Sequence, residues 1–214
     1  MVQTAIKRGP MLRHIDSRMI TNPRYQRYAL DLAEKLGIPF YDKELITAAA
    51  KQSGLCDSFL QNFEETPTSS LMYSLVMNAQ NGGFYMGKPI ELVAYEAQIN
   101  AVREAAKNGP CVIVGRCADY ILKDDYDVVS VFITASPEYR AARAAKLENI
   151  SIKEAQAKLN RMDKARASYH NYHAETKWGA SDSYELCINS EKLTTEQAAD
   201  LIKFYIDNRK APEE

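Results

Sequence analysis

No apolar run in the 214-residue chain approaches the ~18 residues that a membrane-spanning helix needs. Charge of one sign is missing too, since 27 basic and 28 acidic residues leave a net charge of −1. Without a bulk field to draw the protein to nucleic acid or a membrane, neither is an expected partner, and any anion binding must be local. The four cysteines, Cys56, Cys111, Cys117 and Cys187, form no CxxC pair. A zinc site or disulfide framework is therefore not indicated, and idle thiols in a reducing compartment are expected. The opening residues carry charge but no apolar core of signal-peptide length, so a cytoplasmic location is expected. No Ser/Cys–His–Asp order suggests a hydrolase, and there is no internal repeat or low-complexity tract.

The chain is organised around Gly109–Arg143. Two β-branched, apolar runs, Cys111–Val114 and Val128–Thr134, are each followed by a break and then charge. Short continuous apolar runs of this kind are strands buried on both faces, the habit of parallel sheets covered by helices. Ligands of open α/β sheets bind beyond the carboxyl ends of such strands. Arg116, Arg140 and Arg143 all follow those ends.

Residues 1–13 lack periodicity and are expected to be a tail or surface extension. A weak strand, burdened by Asp16, Ser17 and Arg18, is expected over His14–Thr21. A helix follows from Arg24 to Leu36, stopped by Gly37, and then a short strand Ile38–Tyr41 that ends at Asp42. Residues 43–88 have fewer aliphatic runs and suit a smaller helical lobe. Ile90–Lys107 is an amphipathic helix. Pro137 opens another helix, running to about Glu148. Ser151 and Glu154 form a capping box ahead of a helix to about Tyr169, and Thr194 and Gln197 cap the closing one. Tyr184–Ile188 is the last strand. Strands alternating with helices give an α/β fold with a mainly parallel sheet.

Arg116 directly follows a buried strand, and its planar fork suits a phosphate or carboxylate; an ion pair with Asp119 or Asp124 is the plainer alternative. Arg140 and Arg143 share a helix face, and Arg161, Asp163 and Arg166 follow on the next helix. Asp163–Arg166 alone reads as a surface pair. Four arginines on consecutive helices beside a strand-end arginine point to phosphate. His170 and His173 form an HxxH, but no third ligand is spaced to complete a metal site.

Four segments carry a resemblance: LAEKLGIPFYDKEL (32–45), VIVGR (112–116), VFITASPEYRAAR (131–143) and WGASDSYELCINSEKLTTEQAADLI (178–202). They resemble the cytidylate kinase-like family of nucleoside monophosphate kinases. That resemblance implies a three-layer P-loop kinase fold in one domain, with a parallel-sheet core (14–42 and 89–214). It also implies a helical monophosphate-binding lobe (43–88) and a lid (about 150–180). By position, Asp42 would border the monophosphate site and Arg116 would meet the acceptor phosphate, with Arg140 and Arg143 beside it. Arg161, Asp163 and Arg166 would belong to the lid, while Asn189 and Ser190 would lie near the donor base. ATP and magnesium are the cofactors implied for an active member, and a homo-oligomer is allowed.

One part of the family pattern is missing. No glycine occurs between Pro10 and Gly37, where the family carries its glycine-rich phosphate loop; about Thr21–Gln26 stand there instead. The loop needs glycines so that successive backbone N–H groups can wrap the phosphates, and Pro23 removes one such donor. Arg24 and Arg27 supply charge but not a nest of N–H groups. The leading expectation is a nucleotide- or phosphate-binding protein with weak or no phosphotransfer, a pseudokinase. An active kinase of CMP type and a non-enzymatic scaffold on the same fold are the alternatives.

Overall fold

Alternation along Cys111–Val114 sets the architecture. Cys111 and Ile113 enter one buried cluster while Val112 and Val114 enter another, and none is more than 1% exposed. A strand wetted on neither side must lie between two helical layers, and the computed structural model has that form. It describes residues 2–6, 13–17, 23–42, 84–85 and 88–210. The expected helical lobe over 43–88 therefore lies almost wholly outside the described residues.

The strands are β1 (Val2–Ile6), β2 (Arg13–Ser17), β3 (Phe40–Tyr41), β4 (Phe84–Tyr85), β5 (Lys88–Pro89), β6 (Val112–Ile113), β7 (Val131–Thr134) and β8 (Leu186–Asn189). Five of them run parallel in the order β3-β6-β2-β7-β8, and β1 pairs antiparallel with β2. The first parallel strand, β2, is thus central. The chain goes out to one side of it and returns to the other, so the crevice beyond its carboxyl end is a topological switch point. β4 and β5 form a separate antiparallel pair.

One layer holds helices α1 (Pro23–Leu36) and α6 (Thr195–Asn208), whose Leu32, Ala198 and Ile202 are fully buried with Val131 and Ile133. The other holds α2 (Ile90–Lys107) and α3 (Ala118–Leu122), packed on Cys111 and Ile113. α4 (Pro137–Glu148) and α5 (Ile152–His173) follow β7 and pack against each other, with Lys158 bonded to Glu148 at 2.6 Å. Pro137 takes the first position of α4, where its missing N–H costs nothing, and Asn149 closes the helix at φ 55°. Both capping boxes form, Ser151 with Glu154 and Thr194 with Gln197.

Three expectations are corrected. The region expected to be a tail or surface extension contains β1, whose five residues register against Arg13–Ser17 as an antiparallel strand of the sheet. The expected strand over His14–Thr21 begins one residue earlier, and the described part of it ends at Ser17. α5 continues to His173 because Tyr169–His173 contains no stop signal; it ends at Ala174, which turns extended.

Candidate functional site

The parallel strands deliver their carboxyl ends to one side of the sheet. At the ends of the neighbouring strands β3 and β6 stand Asp42 and Gly115-Arg116-Cys117. This second segment is conformationally unusual: φ is +85° at Gly115, +60° at Arg116 and +51° at Cys117. Two successive non-glycine residues in the left-handed region each cost of order 1 kcal/mol or more, and such residues concentrate at functional sites. The turn closes through Ala118 N–H donating to Gly115 C=O at 3.3 Å and Ile121 N–H to Cys117 C=O at 2.9 Å. Arg116 is 7% exposed.

Beyond β7, Ser136 caps α4, and Arg140 and Arg143 follow one turn apart on it. Arg140 is 5% exposed and its Nη2 donates to Asp163 Oδ2 at 2.6 Å. The other carboxylate oxygen of Asp163 lies 3.6 Å from Nη1 of Arg166, which is 4% exposed. Asp163 is therefore not merely the helical partner of Arg166 that its spacing suggests. It bridges two helices and two guanidiniums in a place largely shut off from water. Arg143 is half-buried on α4, whereas Arg161 projects to solvent on α5.

At the end of β8, Ser190 is spent on structure: its N–H and hydroxyl both donate to Thr134 C=O, at 2.8 and 3.0 Å. Asn189 is exposed and accepts from Glu191 N–H at 3.0 Å. Glu191 in turn accepts from Ser136 N–H at 2.7 Å, tying the ends of β7 and β8 together. Hydrogen bonds from Ser136 hold the Glu191 carboxyl below the usual carboxylate range.

Pro23–Gln26, four of the six residues that stand where the family carries its phosphate loop, form the first turn of α1. The connection from β2 is then Arg18–Asn22, outside the described residues and without glycine. Pro23 at the head of α1 has no N–H to give. Arg24 lies in that first turn, and Arg27 is committed along the helix to Asp31 at 2.6 Å. These residues supply no glycine, and Pro23 contributes one backbone N–H fewer.

The two histidines of the HxxH go to different surroundings. His170 is fully buried, with Nδ1 3.7 Å from Cys117 Sγ and Nε2 2.9 Å from Thr176 Oγ1. His173 stacks on Tyr95 of α2 at 3.9 Å between centroids, and burial lowers its pKa from 6.5 to about 4. Trp178 packs edge-on to Phe132. Among the described residues no three ligating side chains are grouped as a metal site. Nor is any helix among them long and apolar enough to cross a membrane. A cavity of about 320 Å³ lies elsewhere, lined by Ser130 and Glu185, which precede β7 and β8. The reading of the sequence named every arginine above but missed the contact between Cys117 and His170. Two residues 53 apart leave no local pattern.

Comparison with known proteins agrees with this architecture. The cytidylate kinase-like family matches residues 26–192. A cytidylate kinase of Pyrococcus horikoshii is 35% identical over 106 residues, which cover 49% of this chain and 54% of that one. The chain thus aligns with about half the length of this curated relative. The crystal structure of an uncharacterized protein from Eubacterium ventriosum matches with a TM-score of 0.62 at 33% identity, covering 85% of this chain and 90% of that one. The fold is of the P-loop kinase type, and the chain belongs to the cytidylate kinase-like family.

Proposed function

We propose that this protein binds a nucleoside monophosphate of the CMP type through arginines at the carboxyl ends of β6 and β7, and transfers phosphate from ATP weakly or not at all. The observation that carries this reading is the burial of Arg116, Arg140 and Arg166, each 7% exposed or less, around one end of a parallel sheet. Arginine stays charged under all ordinary conditions, and burying it away from water is costly unless anionic groups face it. Asp163 supplies a carboxylate to Arg140 and Arg166; a phosphate dianion brings further negative charge and matches the guanidinium fork. In this reading Asp42 and Arg143 border the same ligand. In the same reading α5 with the segment to about residue 180 forms the lid, Arg161 at its surface. Asn189 is exposed at the far end, where a donor base would lie, and the buried Ser190 holds that strand end in place. The protein is one domain built on that plan.

The weak-transfer half of the proposal rests on the β2–α1 connection. Phosphoryl transfer is positioning and electrostatic stabilisation around the moving phosphoryl group. A connection without glycine, followed by Pro23, offers fewer backbone donors than a triphosphate and its magnesium ion require. The named cytidylate kinase from Pyrococcus horikoshii favours a second reading, an active kinase whose phosphates are held by side chains such as Arg24.

Arg116→Gly tests the first reading, because glycine adopts φ 60° without strain, so the guanidinium and its stem are lost at no backbone cost. Loss of charge-assisted bonds to a phosphate, ~1.5–3 kcal/mol, should weaken CMP binding by about ten- to a hundredfold. Unchanged affinity would remove Arg116 from the site.

A further inference from the structure

Cys117, at the head of α3, and His170, on α5, meet in the interior of the protein. Both are 0% exposed. The thiol lies 3.7 Å from Nδ1 of His170, and Nε2 lies 2.9 Å from the hydroxyl of Thr176. In so dry a place a thiolate–imidazolium pair is disfavoured against its neutral form. The neutral chain satisfies every member: the thiol donates to Nδ1, and Nε2–H donates to Thr176 Oγ1.

The positions of the two residues give the contact its consequence. Cys117 ends the left-handed run that starts at Gly115, and it heads α3 without any side-chain capping bond of its own. Nothing in the local sequence favours that conformation for Arg116 and Cys117, so tertiary contacts must hold it. His170 lies one helical turn beyond Arg166, and Arg166 lies three residues beyond Asp163. One stripe of α5 therefore reaches Arg140 through Asp163 and the β6–α3 turn through His170.

We infer that His170 is a positioning residue for Arg116: by holding the Cys117 thiol it keeps the Gly115–Cys117 turn left-handed and fixes it to the helix that carries Arg166. The inference rests on the reading of Arg116 as a phosphate ligand. Its consequence is that the sheet-borne arginine and the helix-borne pair are set in one register before any ligand arrives. Preorganisation of this kind lowers the ordering cost of binding.

The test uses His170→Ala, His170→Asn and Cys117→Ala in the full chain. Asparagine places an acceptor oxygen close to where Nδ1 stands. Alanine keeps Cβ, and with it the cost of φ 51°, and deletes only the thiol. Hydrogen exchange is read at the Ala118 and Ile121 amides, whose bonds close the turn, against the amides of Val131–Thr134 in β7. The inference expects His170→Ala and Cys117→Ala to speed exchange at the turn about tenfold more than in β7, with His170→Asn recovering part of the protection. It expects CMP affinity to fall about tenfold in His170→Ala and Cys117→Ala and less in His170→Asn. Equal acceleration in turn and strand, or none at the turn, overturns it and leaves His170 an ordinary core residue. If His170→Ala does not fold, Cys117→Ala decides alone. If the wild-type protein binds neither CMP nor inorganic phosphate, the ligand reading of Arg116 is overturned, while the exchange pattern still decides what His170 does to the turn.

Discussion

Arg140 and Asp163 are held 2.6 Å apart, Nη2 to Oδ2, by two helices that touch along their length. The guanidinium is 6% exposed and the carboxylate 20%. Removing one partner of a largely buried pair costs ~3–5 kcal/mol, because the charge left behind has lost its water. Asp163→Asn should sit near the lower limit, about 3 kcal/mol, since the aspartate keeps some contact with solvent. Inorganic phosphate should then restore more stability to the variant than it adds to the wild type, as an anion replaces the missing carboxylate. Thermal denaturation with and without phosphate measures both effects. Equal gains in the two proteins would show that no anion enters beside Arg140 and Arg166.

His173 predicts how stability depends on pH. Its pKa is about 4 in the fold against 6.5 ordinarily, because burial against Tyr95 disfavours the charged ring. Between those values the unfolded chain binds a proton that the folded chain refuses, so folding stability rises with pH. Its contribution is complete above pH 6.5 and is lost progressively as the pH falls toward 4. Denaturant midpoints at pH 7 and pH 5 should differ in the wild type, and the difference should shrink in His173→Phe, which keeps the stack but cannot titrate. An unchanged difference would assign the pH dependence to other groups.

Ile133 tests the architecture. It is fully exposed to protein and not at all to water, between β7's neighbours and the layer that holds α1 and α6. Ile133→Ala removes buried carbon from a close-packed interior and should cost ~2–5 kcal/mol in chemical denaturation. A loss under about 1 kcal/mol would mean that the core is not packed as described.

Sequence patterns made some parts of this protein legible and left others hidden, for physical reasons. Ile90–Lys107 and the start of Pro137–Glu148 were legible because periodicity, an Asn-Gly stop after the first helix and a proline at the head of the second all act within a few positions. Burial of β6 on both faces was equally plain, since Cys-Val-Ile-Val offers no polar side. α3 was missed: it is five residues long and opens on a left-handed cysteine without a capping side chain, so no start signal exists. The arginines were visible as residue types, but their grouping depends on packing. Asp163 looked like a partner for Arg166 alone, and only the approach of α4 brings Arg140 to it. The HxxH suggested two imidazoles side by side. In the fold one turns inward to Cys117 and the other lies flat on Tyr95, because α5 is clasped between the β6–α3 turn and α2.

Calorimetric titration of CMP and then of ATP with magnesium into the pure wild-type protein tests the central claim most directly. The account predicts measurable CMP binding through the buried arginines and much weaker ATP binding, or none. Tight ATP binding in the absence of CMP would contradict it and would show that the β2–α1 connection holds a triphosphate without glycine.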